Sequence, residues 1–557
     1  MKHLFFLLVF VSVLSVFPAG VSAHVLDEYL QSAQIALTPD AVRLEIHLMP
    51  GVDVADRVFA AIDRDRNGQL SAAEQRAYAQ RVSADLVFKV DNRPLPLILL
   101  SSDFPSHKAM KQGDAPINLI FSVATAFEKL TPDYRFITSV YAKEKLDDDG
   151  KVKGDLIIYG RGDPSIAARF NDGDYFKGIN ELADRIVAAG VKRVKGDLVG
   201  DESYFNGAPL GSGWEWEDLT WSYGAPVSAL NINDNALDLN VKPGDRVGAS
   251  VLVTTGPPAA SFVTILNHAT TSTRGSRGNL RIYRGLGANT IELSGTLPMG
   301  DAGFVGGVAI QDPALAFVTM LRDALVKRGV KIEGRVRTVN WRTAGSVVSP
   351  SSSDGSGTTS AGLAEIASLQ SPAFSVVATH TLKPSQNQYT ELILRTLGKT
   401  QPATPTEGGR TRDDEEAGLE VVRTFLRQAG IGDGDVTLND GSGLSRNDLI
   451  SANTTVQLLT FMTRHKYFEQ FRDALPIAGV DGTLRTRMRG TPAEGNVRAK
   501  TGSLSSVASL SGYVTTAGGE HLVFSMMLNN YPDASAVRRD SIDAIAVLLA
   551  SFSGKTQ

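Results

Sequence analysis

Residues 497–514, VRAKTGSLSSVASLSGYV, read as two strands that turn back on one another. The first carries Lys500-Thr501-Gly502 and the second Ser511-Gly512-Tyr513. With 557 residues the chain is too long for one ordinary core and should hold several domains. Upstream, strands and helices come in separate runs, which predicts an α+β fold rather than a doubly wound parallel sheet. From about residue 133 the texture is short strands with Gly-Asp turns. Residues 344–362 are Ser/Gly-rich and read as a linker, and long helical patterns return after them.

Lys2 and His3 precede an apolar run that ends in PAGVSA, the pattern of a secretory signal at 1–23 with cleavage after Ala23. No later segment is long and apolar enough to cross a bilayer. The expectation is therefore a secreted or periplasmic protein without a transmembrane span after cleavage. A net charge of −4 gives no reason to expect nucleic acid as a partner, and the lack of cysteine excludes disulfides and thiolate zinc sites.

Asp63, Asp65, Asn67, Gln69, Ser71 and Glu74 stand at positions 1, 3, 5, 7, 9 and 12 of a twelve-residue loop, with Gly68 at the bend. Helical patterns flank the loop. Calcium needs six to eight hard oxygens, and carboxylates, an amide and the Gln69 carbonyl at alternate positions supply them. The sequence thus predicts an EF-hand that binds Ca2+ structurally, with Asp63, Asp65, Asn67, Gln69 and Glu74 as ligands, inside a module at 24–125.

Lys-Thr-Gly alone is a weak signal, but Ser385-Gln386-Asn387 lies in KPSQNQYTELILRTLG, a loop that enters a helix. Ser-x-Asn and Lys-Thr-Gly are two of three signatures of enzymes that acylate a serine with D-alanyl or penicillin-like substrates. Beyond these two, LTPDYRF, GDLIIYGRGDPS, GDLVGDESYF, YGAPVSALNINDN, NDGSGLSRNDLIS and LPIAGVDGTLRTRM occur in a fixed order. From about Phe127 onward the chain resembles the D-alanyl-D-alanine carboxypeptidase/endopeptidase family, the low-molecular-mass class C penicillin-binding proteins.

The resemblance implies a penicillin-recognising domain at 126–145 and 363–557, with β-rich domains inserted at 146–343. It implies peptidoglycan stem peptides and β-lactams as partners. Ser385 would relay protons, Asn387 would bond the substrate amide, and Lys500 would keep Ser385 poised. Thr501 and Gly502 on the strand would hold the substrate carboxylate. Lys383, just before the Ser-x-Asn loop, adds positive charge to the substrate site or is an ordinary surface lysine.

The third signature is missing. The family's nucleophile lies in Ser-x-x-Lys sixteen residues before the proline of PDYRF, and counting back from Pro132 reaches Pro116, with Leu119 in the place of the lysine. No Ser-x-x-Lys occurs anywhere in the chain. Ser122 has Thr125 three residues on, and Lys129 lies near the far end of that helix. The sequence therefore predicts no nucleophile of the usual kind, an N-terminally incomplete acyl-transfer domain fused after the EF-hand module, and impaired hydrolysis. The alternative is a catalytically inactive, calcium-binding wall-binding or scaffold protein.

Overall fold

The computed structural model describes residues 29–37, 42–50, 52–85, 88–90, 93–95, 99, 113–114, 117–258, 262–342, 362–401, 412–505, 507–529 and 535–554. The expected signal peptide at 1–23, Pro116 and nearly all of the expected 344–362 linker lie outside them. Two compact units emerge, residues 1–113 with 530–533, and residues 114–529 with 534–557.

In the smaller unit, strands Tyr29–Leu37 and Val42–Pro50 pair antiparallel from Tyr29 opposite Pro50 to Leu37 opposite Val42. Helices Val52–Ile62 and Ala72–Asp85 flank the loop that begins at Asp63, and Glu74 lies in the first turn of the second helix. Phe59 and Ile62 are buried against Val58, Leu70 and Tyr78. A short hairpin, Phe88–Val90 with Arg93–Leu95, follows.

The larger unit is organised around helix Asn118–Lys129, in which every residue from Asn118 to Phe127 is buried. Its sequence, NLIFSVATAFEK, is apolar on all sides, as a helix enclosed by other elements must be. Phe127 meets Phe374 and Phe471 edge-on at 5.0 and 6.2 Å. Two of its polar side chains are bonded within the core: the Ser122 hydroxyl donates to the Gly441 carbonyl at 3.0 Å, and Thr125 donates to the Phe121 carbonyl at 2.8 Å. This placement corrects the expected module boundary at 125. The helix belongs to the core of the larger unit, and the division falls at Gly113 and Asp114.

A three-stranded antiparallel sheet, Arg498–Leu504, Val507–Thr515 and His521–Asn529, carries the Lys-Thr-Gly segment on its outer strand. Gly512 lets the first two strands close up, since a Cβ there would lie 2.1 Å from the Arg498 carbonyl oxygen. The inserted region has its own core under a five-stranded sheet ordered Val336–Val339, Leu198–Asp201, Leu156–Tyr159, Ile137–Ala142 and Ala364–Gln370. Strands Ile137–Ala142 and Ala364–Gln370 pair with each other as the chain enters and leaves the insert. The expected insert boundaries at 146 and 343 therefore move outward, because backbone pairing ties both flanking strands to the inserted sheet. A further β layer, centred on Ala236–Lys242 between Leu252–Gly256 and Phe304–Ala309, has a separate apolar cluster.

A buried polar cluster joins the insert to the helices. Asp440 accepts N–H bonds from Gly443, Leu444 and Ser445 at 2.6, 3.0 and 2.9 Å, and from the indole of Trp214 at 2.9 Å. Glu391, on helix Asn387–Thr400, accepts the N–H groups of Gly441 and Ser442 at 3.0 and 2.8 Å. Burial first, then the carboxylates of Asp440 and Glu415, pushes the Glu391 carboxyl well above the usual range. The same burial raises Asp448. Burial therefore favours the neutral, protonated form of both. Because the amide mimics that neutral form, Glu391→Gln is expected to keep the denaturation midpoint close to that of the unaltered chain. Glu391→Ala abandons two buried N–H donors and leaves a void, at a cost of about 2–4 kcal/mol. Urea titration distinguishes them, and equal losses for both variants would refute the neutral assignment.

Candidate active site

Three segments converge. Helix Phe374–Leu382 stops just before Pro384, which cannot continue it, and helix Asn387–Thr400 begins three residues later. Between them Ser385 has φ +63°, a left-handed conformation that costs a non-glycine residue about 1–2 kcal/mol. The turn is held by the N–H of Gln386 on the Thr381 carbonyl at 2.8 Å and that of Ser385 on the Leu382 carbonyl at 3.3 Å.

The second segment is the Lys-Thr-Gly strand. Lys500 is fully buried, and its Nζ donates to Ser385 Oγ at 2.7 Å and to the Thr501 carbonyl. Burial alone lowers its amine to about 7. Among the described residues it has no ion pair, so nothing offsets the desolvation of its charge. Ser385 is half-buried, and Gly502 is buried beside Thr501.

The third segment is the loop 475–484. Thr501 donates its hydroxyl to that of Thr483 at 2.8 Å, placing both beside the strand. Lys383 donates to the Leu475 carbonyl at 3.0 Å and to the Asp481 carboxylate at 2.6 Å, and its own carbonyl accepts the Thr483 N–H at 2.9 Å. Lys383, expected from the sequence at the substrate, is paired with Asp481 and ties the Ser385 turn to the loop. Asn387 donates to the Tyr223 carbonyl at 3.3 Å, so the insert braces the start of the helix. Asn233, Asp234 and Asn235 of that insert are all left-handed, a run for which Asn and Asp are suited. From this turn Asp234 accepts the Tyr389 hydroxyl, and Asn231 just before it accepts the Gln388 amide.

The structure thus brings together Ser385, Lys500, Thr501 and Gly502, with Asn387 at the adjoining helix start. Leu119, expected from the sequence count to stand where the family has its lysine, is 1 % exposed in the apolar core. The loop 475–484 and the Asn-Asp-Asn turn were quoted above only as matching stretches. Their signal was present as glycine and Asn/Asp runs, but a site role needs the contacts.

With this geometry in view, the comparisons are decisive. A profile of the D-Ala-D-Ala carboxypeptidase 3 (S13) family matches residues 114–552. The chain belongs to this family. The match begins where the larger unit begins, so helix Asn118–Lys129 lies within the family's portion. The D-alanyl-D-alanine carboxypeptidase of Actinomadura sp. (strain R39) is 33% identical over 452 residues, 78% of this chain and 76% of that protein. The D-alanyl-D-alanine carboxypeptidase DacB of Haemophilus influenzae is 27% identical, covering 74% of this chain and 79% of its own length. The crystal structure of penicillin-binding protein 4 from H. influenzae superposes with a TM-score of 0.63 at 25% identity, covering 79% of this chain and 91% of that one. The α+β, penicillin-recognising fold expected from the sequence is the fold of the S13 portion.

Gly482 shows how tightly the S13 site is built. Its φ is +56°, and a Cβ would lie 2.6 Å from the Lys383 carbonyl oxygen. Gly482→Ala is therefore expected to lower the unfolding free energy by about 1–3 kcal/mol. Denaturant titration of the full chain checks this, and an unchanged midpoint would show that the loop is not locked by this contact.

Proposed function

We propose that the S13 portion binds the D-alanyl ends of peptidoglycan stem peptides, and β-lactams that resemble them, with hydrolysis far slower than in relatives that possess Ser-x-x-Lys. The observation that carries this reading is the buried Lys500 amine 2.7 Å from the Ser385 hydroxyl, on the strand that also presents Thr501 and Gly502. A backbone edge with a nearby cation suits a substrate carboxylate. In this reading Asn387 bonds the substrate amide, and Ser385 with Lys500 moves protons at the scissile bond. The leader-like N-terminal sequence supports action outside the cytoplasm. Among the described residues no helix is long and apolar enough to cross a membrane.

The impairment follows from Pro116 and Leu119 at the positions of the family's serine and lysine. Loss of an activated nucleophile costs serine hydrolases on the order of 10⁶ in kcat. Release of D-alanine from a D-alanyl-D-alanine peptide is expected to be at least about 10³-fold slower than for the Actinomadura carboxypeptidase measured alongside. Comparable rates would sink the reading.

We propose further that the loop of the smaller unit holds Ca2+. Carboxylate oxygens of Asp63, Asp65 and Glu74 lie within 4.8 Å of one another, close enough to share one ion. Asp63 accepts the Gly68 N–H at 2.9 Å, and the Asn67 side chain accepts the Gln69 N–H at 2.8 Å, which wraps the loop around its acidic side chains. The Ser71 hydroxyl and N–H draw the Glu74 carboxyl down to about 2, so it is ionised and ready to bind metal at neutral pH. Calorimetric titration of the full chain with calcium chloride is expected to give a Kd of about 10⁻⁴–10⁻³ M. Glu74→Gln should abolish the heat. Absence of both heat and thermal stabilisation in the unaltered chain would remove the calcium reading, and with it the calcium-binding scaffold alternative.

A further inference from the structure

In the family resemblance Ser385 relays protons to and from another residue's acyl ester. This chain lacks that other residue, yet the described part of its cleft still holds a hydroxyl against a buried amine. We propose that Ser385 and Lys500 form a serine–lysine dyad in which Ser385 itself is acylated by β-lactams and D-alanyl peptides. The proposal rests on the reading of this cleft as a D-alanyl site.

Four observations converge. Lys500 Nζ is 2.7 Å from Ser385 Oγ, within range for direct proton transfer. Ser385 is a half-buried residue, while Lys500 is fully buried and shielded from water. Ser385 is pinned at φ +63° in the turn after Pro384, a conformation that persists only where the surroundings impose it. It also stands two residues before the first residue of helix Asn387–Thr400, whose positive end favours an oxyanion.

The charged groups around the dyad leave the amine free to act as a base. Lys383 and Asp481, on the adjoining turn and loop, are paired with each other. Arg498, on the same strand, pairs with Asp473 at 3.4 Å. Burial holds Lys500 at about 7, so a substantial fraction is neutral at physiological pH.

In the acylation step the neutral Lys500 amine takes the proton from Ser385 Oγ as that oxygen bonds to the carbonyl carbon. The C–N bond of the lactam or peptide breaks, and the departing nitrogen takes the proton back from the Lys500 ammonium. Water later attacks the ester, the Oγ–C bond breaks, and the hydroxyl regains its proton. Atoms and charge balance with water as the only co-reactant.

The test is incubation of the full chain with benzylpenicillin, followed by intact-mass measurement, peptide mapping and, in parallel, a thermal-shift titration. The expected result is an adduct of one benzylpenicillin per chain, mapped to Ser385 and absent from Ser385→Ala. Its rate of formation should rise with pH through about 7 and then level off, the profile of a base that must lose its proton. Lys500→Arg, which keeps the positive charge but cannot accept a proton, should lose the adduct. Mapping on the unaltered chain keeps the proposal falsifiable should either variant fail to fold. An adduct on any other residue overturns it. A thermal shift without an adduct also overturns it while leaving the D-alanyl reading intact, whereas neither shift nor adduct removes both.

Discussion

A lysine amine in the interior, with no carboxylate among the described residues to balance it, is the constraint around which the larger unit is arranged. Desolvation disfavours its charge, and the structure answers with two acceptors, Ser385 Oγ and the Thr501 carbonyl. Holding those acceptors in place takes a proline-terminated helix, a left-handed serine and a loop drawn in by the Lys383–Asp481 pair. The side chains of the candidate site, Ser385 and Lys500, thus come from segments more than a hundred residues apart, and each is braced by further contacts.

The second buried polar system serves the fold. Asp440 and its neighbours gather N–H groups from their own loop, the Asn118 amide from the central helix and the Trp214 indole from the insert. Asp414 and Glu415, at the start of the next helix, accept the N–H groups of Asn206 and Ser212 of the insert. Arg395 pairs with Glu415 at 2.8 Å, and burial with the neighbouring carboxylates raises Glu391 and Asp448, which favours their protonated forms. Such a network adds little to stability as a sum of charges. Its effect is to allow one docking of the inserted sheet on the helical core, since any slip leaves buried donors or acceptors unpaired.

Much of this was readable in the sequence where the chemistry is local. Ser-x-Asn at a helix start and Lys-Thr-Gly on a strand were found where expected, because both rest on short-range backbone preferences. The family followed from ordered motifs in the same way. The readings that failed concerned partners far away in the chain. The module boundary expected at 125 cuts helix Asn118–Lys129, whose residues from Asn118 to Phe127 are all buried in the core of the larger unit. Lys383 looked like a substrate cation because nothing nearby in the sequence revealed Asp481.

The sequence by itself determined the family, the oxygen-rich loop at 63–74, the Ser385 and Lys500 motifs, and the absence of Ser-x-x-Lys. These are statements about residue type and spacing. Only the tertiary structure decided that Lys500 is buried without a counter-charge, that Ser385 is the hydroxyl it touches, and that the Asn118 helix joins Asp440 across 322 residues. Burial and contact set amine basicity and hydroxyl reactivity, and no local pattern carries them.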